Sequence, residues 1–326
     1  MEKKILLQIK NLSKRFGLDA GFFAKADKQV YAVNDVSFEI EKGKTYGLVG
    51  ESGCGKTTIA RLLIRMYEAN SGKILYTDSN GETKDVVKLN KKELQRYREK
   101  VKYIFQDPSR SMNPRLTVFG ILTSCLKHSA LWTNKEDARK KAEKIMEEIG
   151  FSKEDLDRHP QDFSGGQRQR ISIARGLIME PELLICDEVV SALDVSVQAQ
   201  ILNLLQDLRK KRELSFLFIA HDLRVSCWFC DKIGVMYRGM LVEEANAADL
   251  YKTALHPYTQ TLFAGAGGNF KAAKSGEMKT LLESPKGCPF AHRCPKCTEK
   301  CTLEVPDWVQ ISENQKVRCW NFADKS

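Results

Sequence analysis

The chain has 326 residues and a formal net charge of +10, and 42% of its residues are hydrophobic. This composition is typical of a globular protein with a buried core, and the length allows one large α/β domain plus an appendage, or two domains. No apolar run approaches the roughly 18 to 20 residues of a membrane-spanning helix, and the first residues become charged again too soon for a secretory signal. We therefore expect a cytosolic protein. The positive charge alone does not distinguish nucleic acid, an acidic membrane surface or nucleotides as partners.

Short β-type runs alternate with longer helical patterns, which predicts a mostly parallel sheet flanked by helices. The predicted strands are Thr45–Val49, Val101–Phe105, Leu183–Cys186, Ser215–Ala220 and Lys232–Tyr237, and the clearest helices are Lys56–Tyr67 and Lys135–Ile149. Amphipathic helical patterns between Pro108 and Gln161 indicate a helical insertion over about residues 107–170. After about Gly265 the chain becomes rich in Gly and then in Cys, Pro and Lys. We therefore predict an α/β domain over residues 1–264 and a small appendage over residues 265–326.

A glycine-rich segment joins the strand Thr45–Val49 to a helix, as the phosphate-binding loop pattern requires. Its glycines let successive backbone N–H groups point inward, and the helix adds the positive end of its dipole. Lys56 would place an ammonium on the β- and γ-phosphates, and the Thr57 hydroxyl would ligate Mg²⁺. A glycine-rich turn that binds nothing is the structural alternative, which the complete motif in its context disfavours. The expected nucleotide-binding residues here are Gly50, Glu51, Ser52, Gly53, Cys54, Gly55, Lys56, Thr57 and Thr58.

Two carboxylates end the hydrophobic strand Leu183–Cys186. Asp187 is placed to hold Mg²⁺ through a water, and Glu188 can polarise the attacking water as general base. Gln106 and His221 each follow a strand as well, so we expect both on the sheet edge that carries the phosphates. A lone Gln or His at such a position is usually structural, so these two count only as members of a set.

The order of the motifs is what points to a family. Residues 163–170 read Phe-Ser-Gly-Gly-Gln-Arg-Gln-Arg and lead into a helix, and they resemble the signature sequence of ATP-binding-cassette (ABC) proteins. The succession of phosphate loop, Gln106, signature, Asp187-Glu188, residues 191–194 (Ser-Ala-Leu-Asp) and His221 resembles that family across roughly residues 6 to 250. The resemblance implies a P-loop (RecA-like) nucleotide-binding domain with a helical insertion, which binds ATP and Mg²⁺ and hydrolyses ATP. The catalytic residues that it implies are Glu188, His221, Lys56 and Gln106.

The resemblance also implies that two ATPase chains share their sites head to tail. Ser164, Gly165 and Gly166, with Gln167 beside them, would complete the γ-phosphate site of the opposite subunit. A helix that begins with small residues after an N-capping serine is a suitable anion site. Asp194 would report across the interface between the two chains.

Further roles follow from the same resemblance. His221 would contact the γ-phosphate, and Gln106 would link Mg²⁺ to the helical insertion, whose surface around Pro108–Phe119 would receive a short coupling helix of a membrane partner. Phe16 matches the position of the aromatic that stacks on adenine, and Tyr31 is the alternative.

A narrower resemblance appears downstream, to the oligopeptide/dipeptide importer branch. It rests on residues 191–200, on residues 256–259 (His-Pro-Tyr-Thr) and on the closing cysteines. It implies an ATP-hydrolysing subunit, peripheral on the cytoplasmic face of the membrane, with a second related ATPase in a heterodimer, two transmembrane permeases and an external solute-binding protein. Nucleic acid is not an expected partner. Val189 stands where much of the family has Pro, and we expect little effect because neither side chain enters the chemistry.

Two other classes of function are weighed against the importer. A soluble ABC ATPase acting on nucleic acid or the ribosome would agree with the positive charge, but such proteins usually carry two cassettes or a long coiled-coil insertion. A metal-sensing regulator in which ATP binding is only structural is disfavoured by the presence of both Glu188 and His221.

Half of the ten cysteines lie after Gly287, and crowding of this kind in a cytosolic chain suggests metal ligation rather than disulfides. In the importer branch the pattern corresponds to four of them, and some members hold a [4Fe–4S] cluster there. Four thiolates suit that cluster or a tetrahedral Zn²⁺, and Cys297 adds a Cys-x-x-Cys pair that would suit zinc. We favour the iron–sulfur cluster, and a disordered tail with free thiols is the structural alternative. The candidate ligands are Cys288, Cys294, Cys301 and Cys319, with Cys297 in addition.

Overall fold

A computed structural model describes residues 4–17, 29–265 and 285–325. The chain divides into two compact units, unit 1 with residues 1–89 and 218–326 and unit 2 with residues 90–217. The strands are β1 Ile5–Gly17, β2 Gln29–Glu41, β3 Thr45–Val49, β4 Ser71–Thr77, β5 Thr83–Asp85, β6 Val101–Ile104, β7 Leu183–Asp187, β8 Ser215–Ala220, β9 Lys232–Tyr237, β10 Met240–Asn246, β11 Val309–Ser312 and β12 Gln315–Val317. The helices are α1 Lys56–Leu63, α2 Lys91–Lys100, α3 Pro108–Ser111, α4 Val118–Thr123, α5 Lys135–Glu148, α6 Gly165–Leu177, α7 Val195–Arg212, α8 Leu223–Phe229, α9 Ala247–Lys252, α10 Pro257–Gly265 and α11 Glu299–Leu303.

Unit 1 is built on two sheets. A four-stranded antiparallel sheet has the order β2-β1-β4-β5, and a larger sheet contributes the order β11-β12-β10-β9-β3 to this unit. β3 pairs with β9 in parallel, whereas β10 pairs with β9 and β12 in antiparallel fashion. Val36, Phe38 and Ile40 of β2 are buried at every second position, as a strand with one face on the core requires. β3 is buried along its whole length, which suits a central strand that delivers a loop to the sheet edge.

Unit 2 combines a parallel strand pair with most of the helices. β6 and β7 pair in parallel, with Val101 opposite Leu183 and Ile104 opposite Cys186. The long helix α5 buries Ala138, Ala142, Ile145 and Met146, a spacing of four, three and one residues that forms one apolar stripe. β8 crosses the division between the units, since Leu217 belongs to unit 2 and Phe218 to unit 1.

The predicted α/β class is confirmed, and several predicted elements agree with the structure to the residue. β3, β8 and β9 have the predicted bounds. The predicted helix Lys56–Tyr67 is four residues too long, because Arg65 adopts a left-handed backbone (φ +53°) that ends α1 at Leu63. α5 ends one residue before its predicted end, where Gly150 (φ +82°) follows as the left-handed C-terminal glycine.

The cysteine-rich segment over residues 285–325 belongs to unit 1. β12 pairs with β10, with Glu243 opposite Val317, so the segment extends the larger sheet at its outer side. Residues 266–284, which follow the predicted domain boundary, lie outside the described residues. Within the part of the chain that is described, no helix combines the length and the apolar character needed to cross a membrane.

Candidate functional site

The glycine-rich loop of unit 1 joins β3 to α1, and its shape depends on glycine at two positions. Gly50 has φ +156° and Gly55 has φ +111°, both unfavourable for residues with a side chain. A Cβ added at Gly50 would lie 2.2 Å from the Met236 carbonyl oxygen, and one at Gly55 would lie 2.2 Å from the Ala32 carbonyl oxygen. The backbone of two neighbouring strands passes directly against the loop, so both positions must be glycine for the loop to keep its curvature.

Lys56 is buried, and its side chain turns back into the curve of this loop. Its Nζ donates to the carbonyl oxygens of Gly50 (2.7 Å) and Glu51 (3.0 Å) and lies 3.7 Å from the Cys54 Sγ. Burial raises the pKa of the Cys54 thiol, although the Lys56 charge acts in the opposite direction. The loop therefore holds one cation beside a neutral thiol, an arrangement that can receive a phosphate.

The remaining site residues of unit 1 lie at the ends of strands. Phe16 is half-buried near the end of β1, and its ring meets the Tyr67 ring edge-on with 5.2 Å between centroids. The Lys14 ammonium lies over the Phe16 ring, 5.0 Å from its centroid. Tyr31 instead lies under the Arg15 guanidinium, 5.3 Å from it. His221 follows β8 directly and is exposed.

Unit 2 brings three predicted residues together at the ends of β6 and β7. Asp187 is buried at the end of β7 and accepts a hydrogen bond from the Tyr103 hydroxyl of β6. Gln106 Nε2 donates to Glu188 Oε2 at 2.8 Å. A carboxylate that can ligate a metal and a carboxylate that can accept a proton therefore stand next to one another, each held by a neutral side chain.

The backbone at Glu188 is strained in a way that suits a functional residue. Glu188 has φ +51°, a left-handed conformation that is unfavourable for a residue with a long side chain. Its carbonyl oxygen accepts from the Ser191 N–H (3.2 Å) and from the Ser191 hydroxyl (2.9 Å), while Val189 is buried beside it. These contacts hold the turn, and with it the direction in which the Glu188 carboxylate leaves the strand.

The signature residues form the exposed start of α6. Ser164 caps the helix by accepting the Gln167 N–H at 3.3 Å, and Gln167 Oε1 accepts the Ser164 N–H at 2.8 Å, so the two residues form a capping box. A Cβ at Gly166 would lie 2.5 Å from Val197 Cγ1, whereas a Cβ at Gly165 would meet nothing within 4 Å.

Asp194 caps the neighbouring helix α7 and is exposed. Its Oδ1 accepts the Val197 N–H at 2.9 Å. The next residue, Val195, is 82% exposed, which is unusual for an aliphatic side chain at a helix start. The starts of α6 and α7 therefore present helix N-termini and one apolar side chain to the surface of unit 2.

The four cysteines predicted as ligands are neighbours in unit 1. Burial and the nearby thiols of Cys301, Cys319 and Cys294 raise the pKa of Cys288 to about 12. The pKa values of Cys294 and Cys319 are raised as well, first by burial and then by the neighbouring thiols, among them Cys301. The described residues nevertheless contain no group of three or more His, Cys, Asp or Glu side chains at metal-ligating spacing.

Three residues that the sequence analysis did not assign to the site contact residues that it did assign. Tyr103 bonds Asp187, and both Tyr258 and Arg293 bond Glu51 in the glycine-rich loop. Tyr258 lies in the motif over residues 256–259, which carries a family resemblance but no assigned function. The spacing of residues in the sequence does not predict such contacts, because the partners lie between 84 and 242 positions apart.

Comparison with protein families gives two matches. A family model described as ABC transporter matches residues 33–191, and one described as oligopeptide/dipeptide transporter, C-terminal region, matches residues 242–301. A probable peptide ABC transporter ATP-binding protein of Sinorhizobium fredii is 40% identical over 320 residues, covering 96% of this chain and 89% of the relative. The oligopeptide transport ATP-binding protein OppF of Bacillus subtilis is 48% identical over 259 residues, with 79% and 81% covered. The dipeptide transport ATP-binding protein DppF of Haemophilus influenzae is 40% identical over 327 residues, with 98% of both chains covered.

Solved structures agree with this at the level of the fold. CbiO1 of Clostridium perfringens, part of an ABC transporter complex, superposes with a TM-score of 0.65 at 22% identity, covering 78% of this chain and 92% of that one. A dimeric ATP-binding cassette bound to ADP and phosphate superposes with a TM-score of 0.63 at 23% identity, covering 74% and 99%.

Proposed function

This chain belongs to the ATP-binding proteins of ABC transporters, in the oligopeptide/dipeptide branch, and from that premise we propose that it hydrolyses ATP to drive the import of short peptides. The observation that carries the proposal is the glycine-rich loop of unit 1, whose backbone curves around the buried Lys56 ammonium. Relatives that match between 79% and 98% of this chain are named for peptide, oligopeptide and dipeptide transport. The chain acts at the cytoplasmic face of the membrane as a peripheral subunit.

The proposed binding half of the reaction uses residues of unit 1. The N–H groups of residues 50–58 and the Lys56 ammonium bind the β- and γ-phosphates, Phe16 stacks on adenine, and His221 contacts the γ-phosphate. The Thr57 hydroxyl is one proposed oxygen ligand of Mg²⁺, which neutralises charge on the phosphates when it is bound. Tyr31 is the second candidate for adenine, and the contacts of the two rings do not separate the candidates, because Lys14 lies on Phe16 as Arg15 lies on Tyr31.

The proposed chemical half uses residues of unit 2. Glu188 accepts a proton from the attacking water. The hydrogen bond from Gln106 fixes the Glu188 carboxylate without placing a positive charge beside it, because the amide is neutral. Asp187 is the second proposed oxygen ligand for Mg²⁺, and its bond from Tyr103 leaves it further lone pairs. The strained backbone at Glu188 agrees with this function, because the direction of its side chain matters more there than a relaxed backbone.

We propose that the chain works in a head-to-tail heterodimer with a second, related ATPase. Ser164, Gly165 and Gly166 bind the γ-phosphate held by the other chain, and Asp194 lies at the contact between the chains. The support is that the starts of α6 and α7 are exposed while their backbone N–H groups are already organised by capping side chains. The dimer serves two permeases and an external solute-binding protein, and the surface around residues 108–119 meets the permeases.

The first test is to tag the chain in its native cell, solubilise the membranes gently and identify the proteins that co-purify. Two multi-span permeases together with a second ATPase are the expected result, and a co-purifying or co-encoded solute-binding protein would identify the solute. Ribosomes or nucleic acid without any membrane protein would contradict the importer and favour the soluble class of ABC ATPases.

For the cysteine-rich segment we propose a [4Fe–4S] cluster on Cys288, Cys294, Cys301 and Cys319. A cluster would supply a structural or redox function to unit 1 when it is bound. The support is the number of thiols in one segment and the closeness of three of them to other thiols, which adds to the larger effect of burial in raising their pKa values. Zn²⁺ is the alternative, with Cys297 as an exposed additional thiol.

The test of this second proposal is anaerobic purification of the full chain followed by absorbance and metal analysis. A broad band near the visible region with about four iron atoms per chain is expected for a [4Fe–4S] cluster. Cys301→Ser should abolish the band, while Cys297→Ser and the remote Cys227→Ser should keep it. A colourless protein with one zinc per chain would favour the alternative, and a protein with neither metal would contradict both.

A further inference from the structure

Two side chains from the C-terminal part of unit 1 hold one residue of the phosphate loop, Glu51. The Tyr258 hydroxyl accepts the Glu51 backbone N–H at 2.8 Å. Arg293 Nη1 donates to both carboxylate oxygens of Glu51, at 3.1 and 3.0 Å. The backbone and the side chain of the same loop residue are therefore fixed from outside the loop, by residues 207 and 242 positions further along the chain.

The Arg293 side chain packs among aromatic rings beside Glu51. Its side chain is 10% exposed, and its guanidinium lies 5.7 Å from the Phe290 ring centroid and 6.0 Å from that of Tyr237. Phe290 is fully buried and its ring meets those of Tyr237 (5.2 Å) and Tyr258 (5.4 Å). Removal of Glu51 would leave the Arg293 guanidinium buried without its counter-charge, which destabilises a protein strongly, whereas removal of Arg293 leaves a Glu51 side chain that is 29% exposed to solvent.

Tyr258 is positioned by the motif over residues 256–259. His256 Nδ1 accepts the Tyr258 N–H at 3.0 Å, and the buried Glu243 carboxylate accepts the N–H groups of Leu255 and His256, each at 2.9 Å. Gln315 Nε2 of β12 donates to Glu243 Oε1 at 3.0 Å. A continuous set of hydrogen bonds therefore runs from the cysteine-rich segment through this motif to the phosphate loop.

The contacts that fix Glu51 also affect the position of Lys56. The Lys56 ammonium donates to the carbonyl oxygens of Gly50 and Glu51, so a shift of Glu51 moves an acceptor that sets the position of the ammonium. We propose that Arg293 and Tyr258 are positioning residues for ATP, which hold Glu51 and thereby Lys56 in the arrangement that receives the phosphates. The inference rests on the proposed ATP site. It assigns the cysteine-rich segment a function in nucleotide affinity, because Arg293 directly precedes Cys294 in that segment.

The test compares Arg293→Ala with Arg318→Ala in the full chain, by calorimetric titration with Mg·ATP and by thermal unfolding. Arg318 is a matched control: its side chain is 11% exposed, it bonds an aspartate of unit 1 (Asp35, 3.2 Å), it lies 5.1 Å from the Trp308 ring and it also directly precedes a cysteine. Both variants should lose stability. Only Arg293→Ala should raise the Kd for Mg·ATP, by about tenfold, because only its partner is in the loop.

Three further variants separate positioning from general destabilisation. Glu51→Gln should weaken ATP binding by a similar factor, and Arg293→Ala should weaken it no further in that background. Tyr258→Phe removes a single hydroxyl and should raise the Kd by about threefold. In turnover, Arg293→Ala should raise KM for ATP with kcat close to that of the unaltered chain, since the interaction contributes equally to the ground and transition states.

Equal changes in ATP affinity for Arg293→Ala and Arg318→Ala would overturn the inference. So would an unchanged Kd in a folded Arg293→Ala chain or, if that variant does not fold, an unchanged Kd for Tyr258→Phe. Failure of the unaltered chain to bind Mg·ATP would instead overturn the proposed function itself, and the two failures are therefore distinguishable.

Discussion

A buried histidine shows how strongly position governs the properties of a single residue. His256 is enclosed in unit 1, and burial lowers its pKa to about 3. Its Nδ1 accepts the Tyr258 N–H, so the neutral ring is the form that fits. In the unfolded chain the same ring has a pKa near 6.5. Between these two pKa values the unfolded state binds a proton that the folded state does not, and acid therefore favours unfolding.

The histidine predicts a pH dependence of stability with a definite sign. Stability should be unaffected by His256 above about pH 6.5 and should fall as the pH is lowered from there toward 3, with a loss of about 2 kcal/mol at pH 5 from this residue. Urea unfolding at pH 7.5 and pH 5 measures the difference. His256→Gln removes the titration and serves as control, since the neighbouring Glu243, whose pKa burial raises, titrates in both chains. Equal pH dependence in both chains would refute the assignment.

At the scale of elements, the phosphate loop depends on the strands that pass beside it. Gly55 stands at φ +111° against the Ala32 carbonyl oxygen, so a methyl group there requires the loop or β2 to move. By contrast, Gly165 begins α6 with open space around its Cβ position and no left-handed backbone. Substitution by alanine should therefore destabilise the chain at Gly55 and leave its stability nearly unchanged at Gly165.

We expect Gly55→Ala to destabilise the chain by about 2 kcal/mol or more and to abolish ATP binding, because the loop can no longer keep its curvature. Gly165→Ala should leave the thermal midpoint within a degree or two, since a surface change of this kind costs about 0.5 kcal/mol or less. Thermal unfolding followed by circular dichroism measures both. A Gly55→Ala chain as stable as the unaltered one would contradict the loop geometry.

Local patterns predicted several of the elements that carry the candidate site, because each motif is written in consecutive residues. The bounds of β3 and the N-cap Ser164 follow from buried runs and capping chemistry that a sequence displays directly. The pairing of β1 with β4 in the antiparallel sheet is not predicted, because it joins residues that are far apart in the chain, such as Leu7 and Tyr76. The bonds of Tyr103 to Asp187 and of Arg293 to Glu51 were missed for the same reason.

For the whole molecule, the exposed start of α7 belongs to the surface that is proposed to contact the second ATPase. Val195 is 82% exposed and follows Asp194, which is proposed to lie at the contact with the second ATPase. Leu303 of α11 is another exposed aliphatic residue, at 65%, but it belongs to the cysteine-rich segment. A charge at either position should leave the isolated chain folded, because neither side chain contributes to a core.

Val195→Glu should therefore reduce the ATPase activity of the assembled transporter by about tenfold or more while leaving the unfolding midpoint of the isolated chain unchanged. Leu303→Glu should change neither quantity. Membrane vesicles containing the assembled transporter provide the activity, and thermal unfolding of the isolated chain provides the stability. Equal activity for the two variants would argue against a dimer contact at α7.

In the proposed reaction this chain hydrolyses ATP with Glu188 as the general base. The most direct measurement is phosphate release by the assembled transporter with the unaltered chain and with Glu188→Gln, together with Mg·ATP binding to each isolated chain. The amide keeps the shape of the side chain and its contact with Gln106 but cannot accept the proton, so turnover should fall by about a hundredfold or more while ATP binding persists. Turnover close to that of the unaltered chain in the Glu188→Gln transporter would contradict the function of Glu188 as the general base.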